Sequence, residues 1–445
     1  MDDSRRCLVT GATGYVGGRL APRLLARGHR VRALARTPAK LADAPWAADP
    51  RAEVVRGDLS DRDSLLEAFV DIDVVYHLVH SMSTDADFAD EERRSAQNVV
   101  AAASACGVSR IVYLGGLHPE GVELSEHLAS RAEVGEILID SGIETVALQA
   151  GTLIGSGSAS FELIRHLTER LPVMTTPRWV HNKIQPIAVG DALHYLVEAA
   201  TADVPTSRTW DLGGPDVLEY GDMMQRYAEV AGLPPRRMIV LPYLTPTIAS
   251  RWVRLVTPIR GKIARPLIES LECDAICHEH DIDDVIAPPT GGLMTYRAAL
   301  AATLQRVARG DNSVEWSNAT ADTCAAEPLP TDPPWAGEVS FGTVDRRVED
   351  RSAPDLWRRL RSRTGTRWEV VAATEPTHLR MGTERGQPGR AFVDHAITDR
   401  SADGHVGAEL VTTSTFFPRG LGGLLYWRIG VALRALGASR WDPFR

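Results

Sequence analysis

Two groups of residues in this sequence have the types and spacing for chemistry. The first is TGATGYVGG, where Gly11, Gly14 and Gly17 recur at three-residue steps between the apolar run CLVT and a Leu- and Ala-rich helical pattern. Gly11 can take the φ needed to leave a strand, Gly14 lets backbone approach a pyrophosphate, and Gly17 allows a helix to pack closely on a sheet. A helix that begins at such a turn attracts phosphate through its free N–H groups and its dipole. The second group is SEHLASRAEVGEIL, where His127 and Arg131 stand four residues apart and so share one helical face. An imidazole titrates near neutral pH and can supply a proton, whereas a guanidinium stays charged and can hold hydroxyls.

The glycine turn implies a dinucleotide, and the residue closing the second strand selects which one. A carboxylate there binds a ribose 2′-OH, whereas an arginine accommodates a 2′-phosphate. This chain reads RALART, with Arg36 at that point and Lys40 nearby, so NADP(H) is expected over NAD(H). Asp58, in RGDL at the end of the third strand, can accept from an adenine amino group or stabilise a turn. The remaining residues of the turn, Thr10, Thr13, Tyr15 and Val16, and Leu59 beside Asp58 are expected to line the same cofactor site.

These residues need a scaffold, and the pattern around them supplies one. Short Val/Leu/Ile runs alternate with helical patterns over 15–27, the segment PAKLADA, 61–69, 89–106, 125–141 and 160–170. Strand, helix, strand repeated in this way predicts an α/β fold, a Rossmann-type doubly wound parallel sheet with helices on both faces. The alternation loosens after about residue 172, which suits a substrate-side lobe over about 175–305 of a first domain spanning 1–305. Within it Asp191 is placed to N-cap a helix, and Gly232 to end the next one. Residues 306–337 are polar and Pro-rich, the composition of a linker. A smaller α+β domain is then expected over 338–445, with an early helix at APDLWRRLRSR, several strands and a closing helix at 423–436.

Composition narrows the function classes. The chain has 445 residues, 44% hydrophobic and 24% charged, with a formal net charge of −9 and no basic tract, so a nucleic-acid partner is not expected. Cys7, Cys106, Cys273, Cys277 and Cys324 are odd in number and scattered, which fits a reducing, cytoplasmic setting rather than a disulfide framework. MDDSRR leads straight into the first strand, so no signal peptide is expected. The apolar stretch 420–438 carries Arg428 and Arg434 and reads as a packed terminal helix, not a membrane span. The segment CDAICHEH groups Cys273, Cys277, His278 and His280, but it lacks the second Cys pair of a zinc site, so no metal is expected.

The motifs TGATGYVG, ALAR, GDLSD, YHLVHSM, IVYLGG, QAGTLIGSGSASF and QPIAVGDALHYL together resemble the atypical short-chain dehydrogenase/reductase families of NmrA-like, extended type, over roughly residues 6–305. TTSTFFPRGLGGLLYW is similar to a second, poorly characterised domain of bacterial members. The order of elements in that domain resembles the helix-grip arrangement of lipid- and polyketide-binding proteins. The resemblance implies a Tyr-x-x-x-Lys pair and a Ser, and here the sequence departs from it. No tyrosine lies between Tyr113 and Tyr195, no lysine between Lys40 and Lys183, and Gly115 and Gly116 stand where the Ser belongs. Arg131 is then expected to take the lysine's part on the nicotinamide ribose, and His127 that of the proton donor. His80, Ser81, Met82, Ser156, Ser158, Lys183 and Gln185 are further candidates around the same cleft. Two functions are compatible with these residues. One is an oxidoreductase acting on an apolar carbonyl or enone. The other is a non-catalytic NADP(H)-binding sensor or scaffold that acts through its C-terminal domain on a protein partner or within a homo-oligomer.

Overall fold

The computed structural model describes residues 4–79, 88–241, 256–259, 261–308, 329–333, 340–362, 368–383, 388–400 and 407–435, with Ile248, Val253 and Ala336 between them. The chain divides into two compact units, Met1–Thr168 with Pro172–Gly337, and Glu169–Leu171 with Glu338–Arg445.

In the first unit, β1 (Arg6–Thr10), α1 (Tyr15–Ala26), β2 (Arg30–Ala35), β3 (Ala52–Arg56), α2 (Arg62–Phe69), β4 (Val74–His77), α3 (Phe88–Cys106), β5 (Arg110–Gly116), α4 (Glu126–Ile139) and β6 (Glu144–Ala150) follow one another. With β11 (Arg208–Leu212) the strands form one sheet in the order β11-β6-β5-β4-β1-β2-β3, every pair parallel. The order reverses between β1 and β4, and ligands of such sheets bind at the carboxyl ends of the strands on either side of that point. Successive side chains of the central strands β1 and β4 enter opposite cores. Cys7 and Val9 of β1, with Val74 and Tyr76 of β4, pack with Leu20 and Leu24 of α1. Leu8 and Val75 pack on the other face with Phe69 of α2, Val99 of α3 and Leu138 of α4. This two-sided burial explains the uninterrupted apolar runs in the sequence.

Between β6 and β11 lie β7 (Leu153–Ile154), α5 (Ala159–Arg170), β8 (Val173–Thr176), β9 (Lys183–Ile184), β10 (Ile187–Ala188) and α6 (Val189–Glu198). Beyond β11 come β12 (Leu218–Glu219), α7 (Tyr220–Val230) and β13 (Arg237–Val240), and the pairs β7–β10, β8–β13 and β9–β12 make three short ribbons. Gly232, with φ +67°, follows α7 as expected. Two local expectations need correction. PAKLADA holds only a 3-10 turn, Pro38–Leu41, because Pro45 opens a second such turn before an α-helix can grow. Asp191 does not cap α6, whose N-cap is Ala188; it lies inside the first turn, buried, and accepts a hydrogen bond from the Met294 amide at 2.8 Å.

The second unit is a five-stranded antiparallel sheet of β14 (Phe341–Glu349), β15 (Glu369–Thr374), β16 (His378–Thr383), β17 (Gly389–Asp399) and β18 (Ala408–Pro418), ordered β14-β18-β17-β16-β15. A helix at Ala353–Ser362 buries Leu356 and Trp357 against Leu379, Val393 and Ile397. A second helix, Gly420–Ala435, stacks Trp427 on Phe341 and Phe416, with ring centroids 5.2 and 5.6 Å away. Among the described residues no helix is long and apolar enough to cross a membrane.

Candidate functional site

The glycine turn sits between the carboxyl ends of β1 and β4. Gly11 has φ +69°, a left-handed conformation that disfavours a side chain, and a Cβ there would lie 3.2 Å from the Leu78 carbonyl oxygen beyond β4. The Gly14 amide donates to the Gly11 carbonyl at 2.8 Å, which closes the turn. Gly14 then becomes the N-cap of α1 with no side-chain cap among the described residues, so the first-turn amides of Tyr15, Val16 and Gly17 can take a ligand. A Cβ on Gly17 would stand 2.4 Å from the Gly11 oxygen, so only glycine lets α1 start this close to the strand end. An exposed Gly14, uncapped amides and a shape that side chains would fill fit a pyrophosphate.

The other expected cofactor residues divide into lining and support. Thr10 is fully buried; its hydroxyl donates to the Tyr76 carbonyl at 3.0 Å and accepts from the Leu78 amide at 3.1 Å, stitching β1 to β4 beneath the turn. Thr13 is half-buried, while Tyr15 and Val16 lean partly buried on the core of the sheet. Arg36 and Lys40 are exposed just past the end of β2, as a 2′-phosphate would require. Asp58 accepts from the amide and hydroxyl of Ser60 at 3.0 and 2.9 Å; these bonds, the amide's first, and then nearby Arg36 hold its carboxyl below the usual range. Leu59 is buried, and its carbonyl accepts from the Asn98 side chain at 2.9 Å.

The His127 and Arg131 pair lies on α4, which Ser125 caps by accepting from the Leu128 amide. His127 is 4% exposed, with its ring 5.6 Å from that of Phe88 on α3, and among the described residues neither ring nitrogen has a hydrogen-bond partner. Burial first, and then the charge of Arg131, lower its pKa to about 3. Arg131 reaches over the end of β5: its Nη1 lies 3.5 Å from where a Cβ on Gly116 would be. Gly116, one of the two glycines at the end of β5, thus leaves space above the strand end that Arg131 enters. The Tyr113 hydroxyl donates to the Arg131 carbonyl at 3.0 Å, and its ring packs beneath Gly115, so this tyrosine is a support for α4.

Several residues were not visible as site residues in the sequence. Phe88 supplies the apolar wall that desolvates His127. Glu92 accepts from the Ser130 hydroxyl at 2.6 Å in the buried α3–α4 interface, one residue from Arg131. His77, at the end of β4, is 2% exposed and burial lowers its pKa to about 4. Only spatial packing distinguishes these from other core positions, so no sequence spacing could have found them.

The remaining candidates are mostly occupied by structural bonds. Gln185 is buried, donates to the Gly214 carbonyl at 2.8 Å and accepts from the Cys277 amide at 3.0 Å, so its amide is not open to a substrate. Lys183 is exposed. Ser156 is half-buried and Ser158 buried, in the loop that leads into α5. In the Cys273–His280 segment, Asp211 accepts from the His278 amide at 2.7 Å, and burial pushes the Cys277 thiol up to about 12. Among the described residues no three His, Cys, Asp or Glu side chains converge on one point. His80, Ser81 and Met82 lie outside the described residues.

Comparison with known proteins agrees with this geometry. Residues 11–169 match a protein family described as NAD(P)H-binding. A cinnamoyl-CoA reductase of Oryza sativa is 37% identical over 109 residues, 24% of this chain and 32% of its own. The chain spans about a third of the length of this and the other first curated relatives it matches. A (4-alkanoyl-5-oxo-2,5-dihydrofuran-3-yl)methyl phosphate reductase of Streptomyces griseus is 29% identical over 237 residues, 52% of this chain and 75% of its own. The solved triphenylmethane reductase of Citrobacter shares the fold, with a TM-score of 0.54 at 19% identity over 67% of this chain and 99% of its own. Residues 11–169 thus match a family described as NAD(P)H-binding, and the unit that contains them has the fold of that solved reductase.

Proposed function

We propose that this chain is an NADP(H)-dependent reductase of an apolar carbonyl or enone, with His127 and Arg131 acting on the substrate oxygen and the cofactor ribose. The observation that carries the proposal is His127: a buried imidazole with neither nitrogen paired among the described residues, one helical turn before a guanidinium that lies over the end of β5. Gly11, Gly14 and Gly17 would hold the pyrophosphate, and Arg36 with Lys40 the 2′-phosphate. The bound nicotinamide would supply a hydride. The relatives named above as reductases support a reduction rather than an epimerisation, and an alkanoyl dihydrofuranone contains an enone.

A pKa near 3 keeps His127 neutral at physiological pH, which defines its part. A neutral imidazole still donates an N–H hydrogen bond, and a fixed donor in a desolvated site strongly stabilises negative charge growing on an oxygen. Its second nitrogen, without a partner among the described residues, would take a proton from solvent as the ring releases one to the product oxygen, so that this proton and the hydride together complete the reduction. Arg131 stays charged throughout and orients hydroxyls without titrating.

The test is calorimetric titration with NADPH and NADH, repeated on Arg36→Asp, followed by a screen of carbonyl and enone substrates. Arg36→Asp is expected to weaken NADPH selectively. His127→Ala is expected to lower kcat by about 10² to 10⁴-fold, the usual contribution of a positioned proton-transfer group, with NADPH affinity unchanged. NADPH binding without turnover of any substrate would favour the sensor instead, with His127 a core residue packed on Phe88. Failure to bind either dinucleotide would overturn both.

A further inference from the structure

The segment Leu329–Asp332, in the stretch whose composition reads as linker, packs against α1 within the first unit. It is closed on itself: the Asp332 amide donates to the Leu329 carbonyl at 2.9 Å, and the Leu329 amide donates to Asp332 Oδ2 at 2.9 Å. Two contacts hold this turn to the helix. Leu329 covers Gly18, where a Cβ would come within 2.6 Å of its Cδ1. Asp332 pairs in a bidentate fork with Arg19, Nη1 to Oδ1 at 3.0 Å and Nη2 to Oδ2 at 2.7 Å, and the Arg19 side chain is 2% exposed. Arg19 in turn donates to the Tyr15 carbonyl at 3.1 Å, and its guanidinium lies 4.3 Å from the centre of the Tyr15 ring. Tyr15 is the first residue of α1, and the same ring would sit 3.2 Å from a Cβ on Gly157, in the loop ahead of α5.

We infer that Leu329 and Asp332 are positioning residues for the dinucleotide: through Arg19 and Tyr15 they fix the first turn of α1, whose amides hold the pyrophosphate. The physical reason is the burial of the pair. A bidentate guanidinium–carboxylate contact is directional as well as charged, and with little water to compete it sets the axis and rotation of the helix end. An anion site made of backbone amides depends on that placement, because backbone cannot change rotamer to follow a ligand. This inference rests on the cofactor reading above.

Placement and charge predict opposite signs. Removing the Asp332 carboxylate takes a negative charge away from the start of α1, which by charge alone tightens an anionic ligand. Loss of placement weakens it. The experiment measures NADPH affinity of the full chain and of Asp332→Asn and Leu329→Ala, with the thermal midpoint of each without ligand. It also measures amide hydrogen exchange of the unsubstituted protein with and without saturating NADPH. Both variants are expected to bind NADPH roughly tenfold more weakly, within the range usual for coupled sites, while staying folded. By reciprocity NADPH should slow exchange at the Leu329 and Asp332 amides, which a purely structural turn would not show. Should Asp332→Asn not fold, Leu329→Ala and the exchange measurement decide. Unchanged or tighter binding in the folded variants, or exchange at those amides indifferent to NADPH, overturns the inference. An unsubstituted protein that binds neither NADPH nor NADH overturns the cofactor reading first.

Discussion

His127 and His77 are neutral in the folded chain down to about pH 3 and about pH 4, whereas an exposed histidine takes up a proton near 6.5. The unfolded state therefore binds more protons throughout that interval, and folding loses about 1.4 kcal/mol per pH unit for each ring as the pH falls below 6.5. Above 6.5 neither ring contributes. The thermal midpoint is expected to drop between pH 6.5 and 5, and the double variant His77→Phe/His127→Phe to flatten that slope; an unaltered slope would mean these rings are not buried neutral. The four-residue step from His127 to Arg131 was legible because helical periodicity alone puts the two on one face. The protonation state was not, since it depends on Phe88, which lies 39 positions earlier on another helix. Asp58 shows the opposite limit: its place after β3 was clear, but its bonds to Ser60 make it at least partly a turn residue.

At the level of elements, the glycine turn and the helix behind it act as one part. Alanine at position 17 would place its Cβ 2.4 Å from the Gly11 oxygen, so α1 must move away from the strand end or the turn must open. Overpacking of this kind costs about 1–3 kcal/mol. Gly17→Ala is expected to remain folded, with a lowered thermal midpoint and at least a tenfold loss of NADPH affinity by titration; wild-type affinity would mean that the first turn of α1 does not carry the pyrophosphate. The strands were readable because burial on both faces leaves a continuous apolar run, and helices α2 to α5 because their apolar positions recur with the helical period. PAKLADA misled because its composition is helical while Pro45 limits its length. Asp191 misled because an acidic residue near a helix start serves equally well as a cap or, as here, as an acceptor for a distant amide.

For the whole molecule, the division into an α/β unit and an antiparallel unit followed from the change in pattern near residue 338. The packing of Leu329 and Asp332 on α1 did not, because Arg19 and Asp332 are 313 positions apart and nothing in a polar, Pro-rich composition marks which carboxylate finds a buried partner. That pairing bears on where the first unit can be cut for production by itself. A gene fragment ending at Ala308, the last residue of the helix Tyr296–Ala308, looks complete by secondary structure. It would lack the Asp332 carboxylate that pairs with Arg19 and the Leu329 side chain that covers Gly18, and breaking a buried ion pair costs about 3–5 kcal/mol. A fragment ending at Gly337 keeps both. The shorter product is expected to melt at lower temperature and to collect in the insoluble fraction, and equal melting temperatures for the two would show that the cut can be made at either place.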